Sequence, residues 1–408
     1  VETDAGPSML VMKSGIRLIG ESGPQVTILD AQQQGRIAYC SAVDGTAGIE
    51  GFTVTGGCVT DLRDGGGILC VDQTTLTLAD IIFDSNSATE QGVGGGLCCD
   101  HSSPVVRTCT FTENHAYYGG GLGCHSASPT VTDCVFSGNV AIWGGGVRGL
   151  RSGPILTGCT FIENSASSAG GGLAIADYSV LEITDCDFVR NEAYSGGGLA
   201  CVGFNRGNVT GSRFHQNSAS RGGAICFYGI GRTNYAIEYC VISENVASGN
   251  DGGGGICLGD YAEVFATNCT LWGNSAPSGR GGGISCHGSS LLELQNTIIA
   301  YSPQGGAAFN QSVSGPALLC CDIYGNVGGD WTGPLEPWLA LFYNFSECPS
   351  FCNAPAGDFR LCDQSPCNPE SRPHGFQCGL VGALGEGCIC GPSRANPTTW
   401  GAIKSTYR

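Results

Sequence analysis

The chain has 408 residues, with 68 glycines, 25 cysteines, only 2 methionines and a formal net charge of −17 at pH 7. That charge excludes nucleic acid and anionic membrane surfaces as partners, because binding phosphate needs clustered lysine and arginine. No apolar run of about 18 residues occurs, so no membrane span is expected, and a chain this rich in glycine is repetitive rather than a string of ordinary globular units.

The first residues, "VETDAGPSML", lack the basic and apolar regions of a signal peptide, which suggests that the sequence is processed or cut at its start. Next come "GIRLIGESGPQVTILDA" (15–31) and "GIEGFTVTGG" (48–57), whose apolar residues alternate as in short strands. From about residue 50 to 300 one motif returns eight times: "FDSNSA", "FTENHA", "FSGNVA", "FIENSA", "FVRNEA", "FHQNSA", "ISENVA" and "LWGNSA". Its asparagines are Asn86, Asn114, Asn139, Asn164, Asn191, Asn217, Asn245 and Asn274, spaced by 25 to 29 residues. Between them lie glycine clusters followed by an aliphatic residue, as in Gly121-Leu122 and Gly172-Leu173.

A period of this length also fits a leucine-rich repeat. The second half of each unit, for example "GGGLGCHSASPTVTDC", argues against it, since Gly, Ser, Thr and Val replace the required helix or leucines. Two or three short strands per unit make one coil of a parallel β-helix, and the chain is predicted to be an all-β solenoid of about eleven coils, roughly 50 Å long. Phe and the aliphatic residue form inward columns. The asparagines are placed at a turn, with left-handed backbone and amides that hydrogen-bond from coil to coil. The glycine triplets supply positive φ.

Two groups of cysteines fall inside the repeat. Cys109, Cys134, Cys159, Cys186, Cys240 and Cys269 precede the Phe, Ile or Leu by two positions and are predicted to point inward as buried thiols. Cys70, Cys98, Cys99, Cys124, Cys201, Cys226, Cys257 and Cys286 follow the glycines. Seven more, Cys348, Cys352, Cys362, Cys367, Cys378, Cys388 and Cys390, lie in a Gly- and Pro-rich segment with little core, and are disulfide candidates for a C-terminal cap. The predicted organisation is a β-helix over 1–345, a Cys-rich cap over 346–392 and a tail over 393–408.

These glycine-aliphatic and F-x-x-N motifs resemble the repeats of the chlamydial polymorphic outer-membrane proteins and, more broadly, the secreted bacterial right-handed parallel β-helix proteins of the pectate-lyase-like superfamily. Those repeats usually carry "GGA" where this chain has "GGG"; only "GGAI" at Gly222 to Ile225 matches strictly. The segments at 15–31 and 48–57 resemble the opening coils of such proteins, and "SPCNPESRPHGFQCGLVGALGEGC" their closing segment. The resemblance implies secretion or display at the bacterial outer surface, with adhesion, carbohydrate binding or a structural spacer role.

Catalysis by related lyases rests on calcium held by clustered Asp beside a basic residue, and by related hydrolases on paired Asp with His. No local cluster of that kind appears, and Asp80, Asp133, Asp185 and Asp187 read as outward, solvated carboxylates. Neither catalytic residues nor a metal site are assigned, although the acidic balance is compatible with weak calcium binding. "CCDH" (98–101) and "CH" (124–125) lack the spacing of a zinc site. A stripe between the asparagines and the glycines remains: Tyr117 and Tyr118, Trp143, Tyr194, Arg221, Asp251 and Arg280. Placed in a turn, stacked aromatics beside charges suit the faces of sugar rings. Arg148, Arg151, Phe204 and Arg206 form a weaker candidate on the opposite side. The function expected is glycan binding or adhesion without cleavage, the alternatives being a polysaccharide lyase or glycoside hydrolase and a structural spacer. A polysaccharide is the expected partner, with self-association along the coil axis.

Overall fold

The computed structural model describes residues 2–3, 6–60, 64–230, 233–312, 316–339, 341–371 and 378–389; Cys390 and the tail at 393–408 lie outside them. The chain winds into a parallel β-solenoid whose sheets hold thirteen, twelve, twelve and eight strands, with a separate three-stranded sheet near the C-terminus. We number the four large sheets I to IV by the order in which one coil crosses them: Leu97–Asp100 in sheet I, Val105–Arg107 in II, Thr110–Thr112 in III and His115–Tyr118 in IV. There are about thirteen coils rather than eleven. Coils at each end, such as those containing Arg36–Ser41 and Asp322–Tyr324, pair into the sheets without carrying the repeated motif.

Sheet IV corrects the expectation that the asparagine is followed by a turn. From Cys58–Val59 to Val246–Gly252 the residues after the asparagine form a fourth parallel strand. Small buried residues permit it, among them Ala88, Ala141, Ala166, Ala193, Ala219 and Ala247.

The core between sheets I, II and III is built of columns. Phe83, Phe111, Phe136, Phe161, Phe188 and Phe214 stack coil on coil with ring centroids 4.4–4.9 Å apart. Each offset-stacked pair adds about 0.5–1.5 kcal/mol beyond the burial of its area. Leu97, Leu122, Val147, Leu173 and Leu199 are in register across sheet I, and all are fully buried.

The corners between sheets II and III and between III and IV have polar ladders that satisfy the backbone where strands stop. Asn164 donates from Nδ2 to the Phe136 carbonyl at 2.8 Å and to Asn191 Oδ1 at 2.9 Å, while its own Oδ1 accepts from the Asn139 backbone N–H at 3.1 Å and side chain at 2.9 Å. The left-handed residue is not the asparagine but the one before it: Ser85, Glu113, Gly138, Glu163, Arg190, Gln216, Glu244 and Gly273 all have φ between 51° and 65°. The asparagine amide is needed for coil-to-coil hydrogen bonding, and the strain falls on its neighbour. Between sheets II and III the column is cysteine: Cys109 N–H donates to Cys134 Sγ and Cys159 N–H to Cys186 Sγ, both at 3.4 Å. Ser212 and Thr297 take the same place with their hydroxyls, accepting from Cys186 and Cys269.

The glycine triplet answers to backbone angle at its first position and to close packing at the other two. Only the first glycine of Gly119–Gly121 or Gly144–Gly146 has positive φ, 68° and 67°. A Cβ on the second, Gly120 or Gly145, would lie 2.5 Å from a carbonyl of the next coil, and one on the third, Gly121 or Gly146, 2.7 or 2.6 Å from such a carbonyl and 3.0 Å from the next phenylalanine ring. Ala224 occupies the third position in the coil whose successor carries Ile242 instead of phenylalanine.

The C-terminal segment closes the solenoid in two ways. Leu335 joins the end of the core with Trp331 and Trp338 packed beside it, and Trp331 Nε1 donates to the Ile323 carbonyl at 3.2 Å. The Cys-rich part lies along the flank, on the outer face of sheet III. Leu361, Cys367 and Val381 pack on Ile298 and Ala300, and Phe359 and Ala383 on Val241. Gly382 N–H reaches the Asn296 carbonyl at 2.8 Å and Ala383 N–H the Thr270 hydroxyl at 3.0 Å. Disulfides join Cys352 to Cys388, and Cys378 to Cys320 in the last coil. Cys362 is disulfide-bonded as well, Cys320 enters from outside the seven candidates, Cys348 is an exposed thiol, and the Cys367 sulfur donates to Asp322 Oδ2 at 3.4 Å.

Candidate ligand groove and polar cavity

The stripe of Tyr117, Tyr118, Trp143, Tyr194, Arg221, Asp251 and Arg280 lies along sheet IV and the loop beyond it. Tyr118 and Trp143 are register partners, followed in the same column by Ala169, Ser195 and Arg221. The column is therefore interrupted. Tyr117 meets Tyr118 edge-on at 4.6 Å, and the guanidinium of Arg148 sits 4.0 Å above the Tyr118 ring. Arg148 is 8% exposed and its Nε has no hydrogen-bond partner; burial lowers its pKa, and the tyrosine ring face is its compensation. One face of Tyr118 is thus taken up by a buried guanidinium, and both Tyr118 and Trp143 are half-buried.

Farther along, Tyr194 is 55% exposed, and Arg221 packs near both Tyr194 and Tyr228, at 5.3 and 5.5 Å. Arg221 Nε donates to Ser195 Oγ at 2.8 Å and its guanidinium lies 3.7 Å from the Asp251 carboxylate. Arg280 stands apart, over Phe309 at 4.9 Å. Arg221 and Asp251 border a cavity of about 170 Å³ shared with Tyr228, Cys257, Asp260 and His287. Tyr228 hydroxyl donates to Asp260 at 3.1 Å. The sequence left Tyr228, Asp260 and His287 unassigned because they come from sheet I and its following turn on three successive coils, outside the stripe.

On the opposite flank, a larger groove of about 430 Å³ runs over the corner between sheets I and II. Its rim is Tyr178 and Phe204, stacked 5.2 Å apart and nearly parallel at 12°, with Tyr178 68% exposed. Its floor is the outward column of sheet II, in which Val180, Arg206 and Asn234 are in register and Glu263 follows one coil on. Phe204 and Arg206 belong to the candidate rated weaker from sequence. Tyr178 was missed, although "DYS" at 177–179 and "GFN" at 203–205 are aligned one coil apart. Of the other two members of that candidate, Arg148 is under sheet IV, and Arg151 is an exposed corner residue with φ 50°.

His101 and His125 share Asp100, with Nδ1 to Oδ1 distances of 2.9 and 3.1 Å, while Cys99 and Cys124 point into the core. No group of three or more metal-ligating side chains converges among the described residues. Among them also, no helix is long and apolar enough to cross a membrane.

Residues 14–210 match the family described as right handed beta helix region. No curated protein and no solved structure matches the chain.

Proposed function

We propose that this right-handed parallel β-helix repeat protein binds a neutral polysaccharide chain along the groove beside Tyr178 and Phe204, outside the cytoplasm, and does not cleave it. The observation that carries this is an exposed pair of stacked rings at the rim of an open groove whose floor offers Arg206, Asn234 and Glu263 as hydrogen-bonding groups. An aromatic face takes the apolar face of a sugar ring, and a few polar groups fix its orientation. The lining residues come from four successive coils, so the groove extends about 14 Å at about 4.8 Å per rung, and a rung is close to the length of one hexose unit. The charge of −17 repels uronate polymers and favours neutral ones. Glu263 is the single carboxylate among the described lining residues, whereas glycoside hydrolysis ordinarily uses two. Disulfides near the C-terminus support an oxidising location.

Affinity electrophoresis of the whole chain through gels containing neutral or acidic polysaccharides tests this. Phe204→Ala and Tyr178→Ala are each expected to weaken retention about tenfold in a neutral gel, equivalent to about 1.4 kcal/mol, and Trp143→Ala to leave it unchanged. Equal retention of the wild type and both groove variants overturns the assignment of the groove, and new reducing ends overturn the absence of cleavage.

A further inference from the structure

The cavity beside Arg221 is a different kind of place. At about 170 Å³ it falls below the roughly 300 Å³ at which ligand pockets begin, so it admits a small molecule and not a sugar chain. Its wall contains Cys257, an outward residue of the strand Ile256–Leu258 in sheet I. Cys226 is its in-register partner on the preceding coil. Neighbouring Cα atoms in such a ladder are about 4.8 Å apart, within the roughly 4.4–6.8 Å that a disulfide spans.

His287 completes the arrangement. Its Nε2 donates to the Asp251 carbonyl at 2.8 Å, which fixes the tautomer and leaves Nδ1 as the acceptor for a thiol proton. The ring and the Cys257 thiol line the same cavity, and the thiol's proximity is the main cause raising the histidine's pKa. The neighbouring Cys226 thiol first, and the His287 imidazole second, pull the Cys257 thiol down to about 5, against the opposing effect of burial. Cys226 and Cys257 are each 2% exposed, and the pair splits, with the Cys226 thiol raised well above the ordinary value by its neighbour Cys257. Cys98, in the same outward position of sheet I farther back, faces no such cavity among the described residues, and burial holds its thiol well above the ordinary value. Arg221, Asp251, Asp260 and Tyr228 are the other charged or titratable groups facing the cavity.

We infer that Cys257 and Cys226 form a redox-active dithiol that exchanges with low-molecular-weight disulfides entering this cavity. The Cys257 thiolate attacks one sulfur of the small disulfide, forming a mixed disulfide, and the departing thiolate takes the proton from His287. The neutral imidazole then takes the proton of Cys226, which attacks the Cys257 sulfur. The second small thiolate leaves and is protonated by His287. The small disulfide is reduced to two thiols, and the protein gains a Cys226–Cys257 bond. This inference is independent of glycan binding in the groove.

The probe is 4,4′-dithiodipyridine added to the native, unreduced chain at pH 6, followed by release of thiopyridone and peptide mapping. Two equivalents are expected in a fast phase that ends in a Cys226–Cys257 bridge, with exposed Cys348 reacting separately as an ordinary thiol. His287→Gln is expected to slow the fast phase at least tenfold at pH 6 and much less at pH 9, where an ordinary thiol is ionised without help. Cys226→Ala should release one fast equivalent and hold the mixed disulfide on Cys257. Melting curves establish that each variant is folded, with His287→Asn and Cys226→Ser as replacements for any that is not. Labelling of Cys348 with Cys257 untouched overturns the proposal, as does modification of both cavity cysteines without a bridge.

Discussion

The coils between Phe83 and Asn274 and the Cys-rich segment from Ser346 onward solve the same problem with different chemistry. In the coils, each residue's main partner is its own counterpart one turn away: Phe161 stacks on Phe136 and Phe188, and Asn164 bonds Asn139 and Asn191. Every described cysteine there is a free thiol. The C-terminal segment has no counterpart to stack on. Its two small apolar clusters lean on the outer face of sheet III, and disulfides tie residues 36 and 58 positions apart. Repetition makes cohesion a nearest-neighbour property, while a unique segment relies on covalent links to limit its unfolded state.

Three perturbations probe that contrast. The largest effect is expected for Phe161→Ala, which empties the middle of the stacked column and should cost about 3–5 kcal/mol in thermal or denaturant unfolding; a cost below about 1 kcal/mol would show that the column is not a principal source of cohesion. Next, replacing both Cys352 and Cys388 with serine should destabilise the C-terminal segment by about 2–4 kcal/mol. Hydrogen exchange by mass spectrometry should then show lost protection over 351–388 with protection of the coils from 83 to 245 retained. Equal loss in both would mean that the two regions open as one unit. The smallest effect is expected for Asn164→Ala, about 1–3 kcal/mol, because it orphans buried groups on the coils either side without creating a large cavity. Its melting curve should fall while polysaccharide retention stays the same; unchanged stability would remove the amide ladder from the account of the coils.

What could be seen in the sequence follows from which forces repeat. Identical residues at a fixed period report in-register stacking, so the phenylalanine, asparagine and cysteine columns were legible as columns, and with them the solenoid. Sheet IV was not, because its strands are marked only by small alternating residues such as Ser87-Ala88 and Ser218-Ala219, which also suit a turn. The flanking position of the Cys-rich segment was hidden too, since Val241, Ile298 and Ala300 look like ordinary strand residues until another layer covers them. The candidate site was legible in part. Aromatics and charges could be aligned between coils, but whether a ring is open, as Tyr178 is, or half-buried against an arginine, as Tyr118 is, depends on a residue in another strand of the coil.

The spacing of Asn114, Asn139 and Asn164, 25 residues each time, has a consequence for how such a chain changes over generations. In-frame loss or duplication of one such unit rejoins phenylalanine to phenylalanine, glycine triplet to glycine triplet and amide to amide, so neither new surface is foreign to the old one. The gene can therefore alter the reach of its product by whole rungs of about 4.8 Å through unequal recombination between its own repeats. Natural variants are expected to differ in length by multiples of one coil within 83–274, while the disulfide-tied flank keeps its length.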